Sequence, residues 1–229
     1  MHPVLTHDLI AARLPPNREP DRPPDRVPDG PLRDGMRAVL ATRPPGRLWI
    51  FAYGSLMWGH GSVPHDAAIG ARLRGFARRY CLSDVNDRGT PDAPSLTLGI
   101  EPVAMDVAME ECGGVLLRLP AAEEENALWE VWQHEMPPGF YSARWVDVAV
   151  GSDEGAEIRA LTFVADPDHR LYAGLLPEAE VADTLARGVG PQGPAAAYLL
   201  DTAEALRREG MPDPMLERLV VEVGARLAG

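Results

Sequence analysis

The stretch from Leu48 to Gly59 constrains the fold more than any other part of the chain. It opens with an unbroken apolar run, Leu48 to Ala52, and several of these residues are aromatic or β-branched, which is typical of a strand covered on both faces. The run then breaks at Tyr53-Gly54-Ser55. Gly54 permits backbone angles that other residues avoid, and the successive N–H groups and the hydroxyl predict a concavity that binds carboxylate or phosphate oxygens. Periodicity alone leaves a core strand with an ordinary turn equally open.

Size and composition narrow the class of protein. The 229 residues suffice for one domain with a substantial core, and the hydrophobic share of 45% is that of a globular protein. The formal net charge of −12 argues against nucleic acid and anionic membranes as partners, because both would be repelled. No apolar run is long enough to span a bilayer, and the N-terminus lacks a signal-peptide pattern. We therefore expect a cytoplasmic protein whose cysteines, Cys81 and Cys112, are reduced.

The order of the predicted elements favours an α+β fold, with a mostly antiparallel, partly closed, β-barrel-like sheet and flanking helices. Residues 1–45 are predicted as a proline-rich extension with short helices, in which Pro15–Pro31 is extended or loose, and residues 46–229 as a single domain. Strands are predicted at Leu48–Ala52, Ala71–Leu82, Ser95–Ile100, Gly113–Leu119, Ala143–Val150 and Ile158–Val164. Helices are predicted at Leu32–Ala41, Ala121–Gln133, Glu178–Ala186, Ala195–Arg208 and Pro214–Leu227, and a hairpin turn at Gly151–Gly155.

A second stretch, Trp132 to Val146, carries the candidate acid–base residue. Glu135 stands where a predicted helix stops, with aromatic and apolar residues on both sides in the sequence. Such surroundings disfavour a charged carboxylate and favour proton uptake, which suits a general acid–base group. A surface glutamate at a helix end is the alternative, although a carboxylate gains nothing from the helix dipole at that end.

The loop that follows the first stretch contains two histidines, His60 and His65, with Asp66 beside the second. A loop this short does not supply the three or four protein ligands that a metal site normally needs. We therefore predict neither a metal nor another cofactor.

Two motifs carry a family resemblance. Tyr53-Gly54-Ser55-Leu56, followed by Met57-Trp58, resembles the opening motif of the γ-glutamylcyclotransferase families, and the form with Met-Trp is similar to their ChaC-type, glutathione-specific branch. The second stretch is similar to a segment of the same branch. The matching residues there are Glu135-Met136, Gly139, Tyr141 and Arg144-Trp145-Val146.

Further segments extend the resemblance from about Leu48 to Val223. They are Arg78-Arg79, Asp87-Arg88-Gly89-Thr90-Pro91 and the C-terminal segment Gly188–Glu222. One departure stands out, because the family usually has an asparagine before the position of Tyr198, where this chain reads Ala195-Ala196-Ala197.

The resemblance implies a γ-glutamylcyclotransferase. Such an enzyme cleaves glutathione to 5-oxoproline and Cys-Gly by attack of the substrate's α-amine on its own γ-carbonyl, without a metal or cofactor. The family's glutamate is its acid–base residue, which implies that role for Glu135. The family's opening loop holds the γ-glutamyl group. Substrate binding is accordingly predicted for Tyr53, Gly54, Ser55 and Leu56, for Arg88 as a contact to the distal carboxylate, and for Tyr141 as a wall of the pocket.

Three alternatives stay open. A serine hydrolase using Ser55 lacks the Gly-x-Ser-x-Gly elbow, and no His and Asp stand out as its partners. A cyclotransferase of the same fold for another donor, a γ-glutamyl amine or amino acid, is compatible with the missing asparagine. A non-catalytic γ-glutamyl-binding module would retain the pocket, but the presence of Glu135 argues against it. The oligomeric state is not predicted.

Overall fold

A computed structural model describes residues 4–23, 25–58, 63–103, 110–151 and 156–229. The chain forms two compact units. The first unit comprises residues 1–25, 79–98 and 170–229, and the second comprises residues 26–78 and 99–169. The sequence-based division near residue 45, into an extension and one domain, stays a prediction.

Strands and helices alternate irregularly along the chain. The strands are β1 (Trp49–Ala52), β2 (Ala67–Arg74), β3 (Phe76–Asp84), β4 (Ser95–Pro102), β5 (Glu111–Arg118), β6 (Tyr141–Val150), β7 (Glu157–Ala165), β8 (Val189–Gly190) and β9 (Gly193–Pro194). The helices are α1 (His7–Arg13), α2 (Asp29–Ala41), α3 (Glu124–Glu135), α4 (Glu178–Leu185), α5 (Ala195–Arg208) and α6 (Pro214–Ala228), and a short 3₁₀ turn covers Ser55–Met57.

A closed barrel forms the core of the second unit. Its strands follow the order β1-β5-β2-β6-β7. The pairs β1–β5, β5–β2, β2–β6 and β6–β7 are antiparallel, and the barrel closes where β1 runs parallel to β7 at Ile50 and Leu161. The predicted α+β class with a mostly antiparallel, barrel-like sheet is confirmed.

The central apolar run behaves as its composition predicts. Consecutive residues Ile50, Phe51 and Ala52 of β1 are at most 1% exposed, so both faces of the strand are covered. Side chains of successive strand residues point to opposite faces, and burial of all three therefore needs packing on either side. This burial explains why the run shows no polar alternation.

Two local predictions from the sequence need correction, and a third concerns residues outside the described ranges. The single strand predicted over Ala71–Leu82 is two strands, because Gly75 adopts φ +75° and turns the chain between β2 and β3. Helix α2 begins at Asp29, inside the segment predicted to be extended or loose. The predicted turn at Gly151–Gly155 falls mostly on residues 152–155, which lie outside the described residues.

The first unit contains the C-terminal helices. The apolar stripe of α6 recurs at helical spacing, at Leu216, Leu219, Val220, Val223 and Leu227, and all these residues are buried. Strands β8 and β9 form a small antiparallel hairpin between α4 and α5. Strands β3 and β4 pair as a two-stranded sheet.

Two further properties bear on function. Cys81 and Cys112 are both buried, and neither forms a disulfide. Among the residues described, no helix combines the length and the apolar character needed to cross a membrane.

Gly114 lies in a tightly packed part of β5, so a larger side chain at this position should lower the stability of the protein. A Cβ atom at this position would lie 2.7 and 2.8 Å from ring carbons of Phe51 and would collide with the carbonyl oxygen of Ala52. We expect Gly114→Ala to lower the free energy of unfolding by about 1–3 kcal/mol, because overpacking forces the paired strands to shift. Urea denaturation measures the change.

The control is Gly30→Ala in α2, where an added Cβ has no atom within 4 Å. This substitution should be neutral or stabilising, since alanine favours the helix more than glycine does. Equal losses in the two variants would contradict the packing argument.

Candidate active site

The turn after β1 is held by main-chain anchors in the second unit. The Tyr53 hydroxyl donates to the carbonyl oxygen of Phe163 in β7 at 2.5 Å. Arg78, only 3% exposed, donates from Nε to the carbonyl oxygen of Tyr53 at 3.1 Å and from its terminal nitrogen to that of Gly113. The end of β1 is therefore tied to both of its barrel neighbours.

Two main-chain hydrogen bonds define the short 3₁₀ turn at Ser55–Met57. The N–H of Met57 donates to the Gly54 oxygen at 2.9 Å, and that of Trp58 to the Ser55 oxygen at 3.1 Å. The preceding N–H groups, those of Ser55 and Leu56, have no acceptor inside this helical turn, as at any helix start. Leu56 is buried, whereas Ser55 is partly exposed. Binding of substrate oxygens by the N–H groups of this turn stays a prediction.

Helix α3 brings the candidate acid–base residue to the site. Its buried stripe, Ala127, Leu128, Val131 and Trp132, fixes the helix against the core of the second unit. Glu135 is the last helical residue, and the N–H of Met136 closes the final turn on the Trp132 oxygen at 2.9 Å. Pro137 and Pro138 follow and lack the N–H groups that would continue the helix.

The two stretches singled out in the sequence meet at a histidine. Ser55 Oγ lies 3.2 Å from His134 Nε2, although the two residues are 79 positions apart. The same Nε2 lies 3.8 Å from Glu135 Oε1. The side chain of His134 is 42% exposed and that of Glu135 is 13% exposed, so the carboxylate is the more enclosed of the two groups. The structure thus brings Ser55 and Glu135 close to the same histidine nitrogen, and their roles in binding and catalysis stay predictions.

His134 was missed by the sequence reasoning, which found no histidine partner for Ser55. That argument against a serine hydrolase was wrong, but the geometry supplies a better one. In a Ser-His-acid triad the serine and the acid contact different ring nitrogens, so that the acid orients the base. Here Ser55 and Glu135 both approach Nε2. The signal that could have found His134 is its place beside Glu135 in the last turn of α3.

Aromatic rings surround this region of the second unit. Tyr141, at the start of β6, packs edge-on against Phe140 at a centroid distance of 4.7 Å and is tilted against Phe163 at 6.4 Å. Trp132 packs edge-on against the same Phe163 at 5.9 Å. Tyr141 is half-buried, which is compatible with the pocket wall predicted from the sequence.

Arg88 belongs to the first unit, whereas the other predicted site residues belong to the second. The carboxylate of Asp84 organises its loop by accepting the N–H groups of Asn86, Asp87 and Arg88 at 2.9, 2.9 and 3.0 Å. The guanidinium of Arg88 donates to the carbonyl oxygen of Gln192. It also lies over Tyr198, with Cζ 5.6 Å from the ring centroid.

Burial raises the pKa of Asp84 above its ordinary value, and the charge of Asp87 adds to this effect. The three main-chain hydrogen bonds oppose the shift without cancelling it. The loop is therefore organised around a carboxyl group whose charged form is disfavoured by its surroundings.

Potential metal ligands lie apart from Ser55 and Glu135 in the sequence. His60 lies outside the described residues, and His65 contacts the Val63 oxygen through Nδ1 at 2.9 Å. Asp66 is engaged by the guanidinium groups of Arg47 and Arg118. In the part of the chain that is described, the ligand atoms of three other residues lie within 4.8 Å of one another. These residues are His7, Asp201 and Glu204 of the first unit, where the charges of Arg88 and Arg208 act on Asp201 and oppose a cation.

Comparisons with known proteins agree on one family. The sequence model of the family described as ChaC-like protein matches residues 48–226. The glutathione-specific γ-glutamylcyclotransferase of Escherichia coli (strain K12) is 34% identical over 197 residues, which cover 84% of this chain and 80% of that protein. The glutathione-specific γ-glutamylcyclotransferase 1 of Homo sapiens is 29% identical over 186 residues, which cover 80% of this chain and 81% of that protein.

A solved structure shows the same fold. It is a γ-glutamyl cyclotransferase specific to glutathione from yeast, with a TM-score of 0.69 and 19% identity. The match covers 80% of this chain and 100% of that chain. At this identity the likeness is one of fold.

The pH dependence of stability tests whether the pKa of Asp84, in the loop that carries Arg88, is raised. A carboxyl group whose pKa is higher in the folded than in the unfolded state stabilises the fold below its unfolded pKa, and this contribution is lost as the pH rises through the folded pKa. Asn at this position does not titrate. We expect the free energy of unfolding of the wild type, measured by urea denaturation, to fall relative to that of Asp84→Asn as the pH rises from about 4, the ordinary pKa of an aspartate side chain.

The control for this pH dependence is Asp66→Asn. Hydrogen bonds from Arg118 and Arg47 lower the pKa of Asp66. The free energy of unfolding of the wild type should therefore rise relative to that of Asp66→Asn as the pH rises. A difference between wild type and Asp84→Asn that does not change with pH would refute a raised pKa at Asp84.

Proposed function

The chain belongs to the ChaC-like family, and we propose that it is a γ-glutamylcyclotransferase that cleaves glutathione to 5-oxoproline and Cys-Gly. The observation that carries the proposal is the convergence of Ser55 and Glu135 on the same nitrogen of His134. This convergence supports a site that combines the donors of the Ser55 turn with a partly enclosed carboxylate. The names of the relatives in Escherichia coli and Homo sapiens favour glutathione over other γ-glutamyl donors.

Binding comes first. The N–H groups that begin the turn at Ser55, together with its hydroxyl, hold oxygens of the γ-glutamyl group. The substrate then folds back so that its α-amine faces its own γ-carbonyl carbon. Holding a nucleophile and a carbonyl in attack geometry contributes up to about 7–11 kcal/mol to lowering the barrier.

Glu135 moves the protons. Its carboxylate accepts a proton from the α-ammonium, and the free amine attacks the γ-carbonyl carbon to form the five-membered ring. The bond from that carbon to the cysteine nitrogen breaks as Glu135 gives its proton to this leaving nitrogen. The ring nitrogen then loses its second proton, and the released amine takes up a proton to become an ammonium group. The reaction consumes no water, and its net proton change is zero. General acid–base assistance of this kind contributes about 10²- to 10⁴-fold to the rate.

His134 supports both motifs. Its ring nitrogen lies within hydrogen-bond distance of the Ser55 hydroxyl and is close to the Glu135 carboxylate. A ring that contacts both groups restrains them in one arrangement, and restrained groups lose less conformational freedom when the substrate binds. We assign His134 the role of positioning Ser55 and Glu135.

Tyr141 completes the assignment in the second unit. The contact of Arg88 with the distal carboxylate stays a prediction from the sequence, because Arg88 belongs to the first unit and its guanidinium donates to the Gln192 oxygen. Tyr141 lines the pocket. The mechanism calls for neither a metal nor a cofactor. The expected compartment is the cytoplasm, where reduced glutathione and cysteines outside disulfides are the rule.

Substitution of the acid–base residue tests the mechanism. We expect Glu135→Gln to lower the rate of 5-oxoproline release from glutathione at least about 100-fold, because the amide cannot transfer protons. Mass spectrometry of 5-oxoproline measures the rate. Glu130→Gln, on the exposed face of the same helix, is the control and should retain wild-type activity. Activity in a folded Glu135→Gln protein would overturn the assignment.

Substitution of Ser55 separates the cyclotransferase from a serine hydrolase. In the proposed mechanism Ser55→Ala loses one substrate contact, which costs about 1 kcal/mol or a few-fold in kcat/KM. The product remains 5-oxoproline. A serine hydrolase would release glutamate and would lose nearly all activity with this substitution. Chromatography of both products from the wild type and Ser55→Ala distinguishes the two reactions.

A further inference from the structure

The segment from residue 26 to residue 43, called the α2 segment below, precedes the stretch that matches the family, which begins at residue 48. It belongs to the second unit, as does α3 with Glu135. Helix α2 makes up most of the segment, and its residues Leu32 and Met36 are 5% and 2% exposed. Apolar burial therefore anchors the α2 segment in the unit that contains the candidate acid–base residue.

At its C-terminal end, the α2 segment holds the first residue of α3. A guanidinium nitrogen of Arg43 lies 2.8 Å from a carboxylate oxygen of Glu124, and the two side chains are 27% and 18% exposed. The other carboxylate oxygen of Glu124 accepts the Leu48 N–H at 3.1 Å, just before β1. Glu124 therefore joins the start of α3 both to the α2 segment and to the strand that leads to Ser55.

Along the middle of α3, the α2 segment lies against the two tryptophans of that helix. The guanidinium of Arg33 lies over the ring of Trp129, with Cζ 3.9 Å from the ring centroid. A Cβ at Gly35 would lie 3.6 Å from Cζ2 of Trp132, which is ordinary van der Waals contact. Trp132 lies one turn before Glu135 on α3. Packing this close leaves little room for that turn of α3 to shift toward α2.

At its N-terminal end, the α2 segment holds the chain that leaves α3. The Val27 N–H donates to the carbonyl oxygen of Pro137 at 2.8 Å. Gly139 adopts φ +80°, and a Cβ at this position would lie 3.3 Å from Cγ2 of Val27. These contacts come directly after Glu135, the last residue of α3. The α2 segment thus holds α3 at its first residue, along its length and just beyond its last residue.

A helix that is held in this way has a fixed position, and so has the carboxylate that it carries. Catalytic groups have to be held within about 0.5 Å of the productive geometry, and a misplacement of about 1 Å can lower a rate about 100-fold. Because Glu135 ends α3, a shift of the helix changes the distance from this carboxylate to the substrate's amine. Substrate binding by the turn at Ser55 depends on β1 instead.

We propose that residues 26–43 are a positioning element for α3, and that they set the turnover rate by holding Glu135 in place. The inference rests on the proposed function, in which Glu135 takes a proton from the α-ammonium and gives one to the leaving nitrogen. It adds a role for residues that precede the family match. Val27 and Arg43 do not touch the substrate in this proposal; they act through the two ends of α3.

Kinetics of the double variant Val27→Ala/Arg43→Ala, called the α2-segment variant below, test the proposal, because both ends of α3 are loosened. With glutathione, kcat should fall about tenfold, within the range expected for a misplaced catalytic group. KM should change less than about twofold, since the loss concerns the chemical step and not binding. The conservative variant Val27→Ile/Arg43→Lys retains the apolar contact and the charge, and it should keep most of the wild-type kcat.

Ile158→Ala/Arg159→Ala is the matched control in β7 of the same unit. It also shortens a partly exposed apolar side chain and breaks an ion pair, here that of Arg159 with Asp147 at 2.7 Å. These residues pair with the second half of β6, away from the predicted pocket wall at its start, so kcat and KM should stay at their wild-type values. An unchanged kcat in the α2-segment variant, a rise in KM alone, or an equal fall of kcat in the control would each overturn the proposal.

A milder variant, Arg43→Gln, replaces the α2-segment variant if the latter does not fold. Glutamine retains hydrogen-bond donors but loses the charge opposite Glu124. We expect kcat to fall about twofold to threefold with an unchanged KM, the size of effect expected for one partly exposed ion pair. In that case an unchanged kcat in a folded Arg43→Gln protein would overturn the proposal.

Amide hydrogen exchange keeps this inference separate from the proposed function. Exchange at residues 124–136 should be faster in the α2-segment variant than in the wild type, and unchanged in the control variant. If the wild-type protein cleaves no γ-glutamyl donor, the proposed function fails and the effect on turnover fails with it. Faster exchange would then still support restraint of α3 by the α2 segment, whereas unchanged exchange would refute that restraint.

Discussion

A buried arginine fixes the point from which the candidate active site is built. Arg78 donates to the carbonyl oxygens of Tyr53 and Gly113, where the pairing of β1 with β5 comes to an end. A guanidinium suits this position, since its charge is delocalised and its several donors point in fixed directions. Without these donors, two carbonyl groups at the barrel end would lose partners, and unpaired buried polar groups are unfavourable. The turn that begins at Gly54 therefore starts from a rigid base.

The site combines this turn with the end of a helix. A carboxylate at a helix C-terminus lies at the negative end of the helix dipole, and this position disfavours its charged form. Such a placement does not stabilise the helix, but it suits the acid–base role that we propose for Glu135. The low exposure of Glu135 and the neighbouring ring of His134 belong to the same arrangement, in which two rigid elements present their functional groups to each other.

Local patterns in the sequence predicted much of this fold, because they report the local environment of each segment. The apolar run before Tyr53 predicted a strand with two buried faces, and α5 has the predicted bounds, Ala195–Arg208. The break at Gly75 was missed, since a glycine inside an otherwise regular strand pattern gives no clear boundary. The order of strands in the barrel was not predictable either, because pairing between distant strands leaves little trace in any one of them.

The same distinction between local and long-range information applies to the candidate site. The Ser55 turn and Glu135 could be singled out, since each motif is contiguous and each has a chemical reason to be where it is. The contact of Ser55 with His134 could not, because it joins residues 79 positions apart and depends on how α3 lies against the barrel. The packing of the proline-rich segment was not predicted, for a related reason. Proline-rich composition predicts the absence of regular structure, but it does not reveal main-chain bonds such as that of Arg18 with Gly190.

The burial of both cysteines has a consequence for a protein that handles a thiol substrate. Glutathione and its disulfide exchange with accessible protein thiolates, at rates set by thiolate exposure and pKa. Cys81 is 0% exposed and Cys112 is 1% exposed, so neither presents its sulfur to the substrate pool. The folded protein is thereby shielded from mixed-disulfide formation with the molecule that it is proposed to degrade.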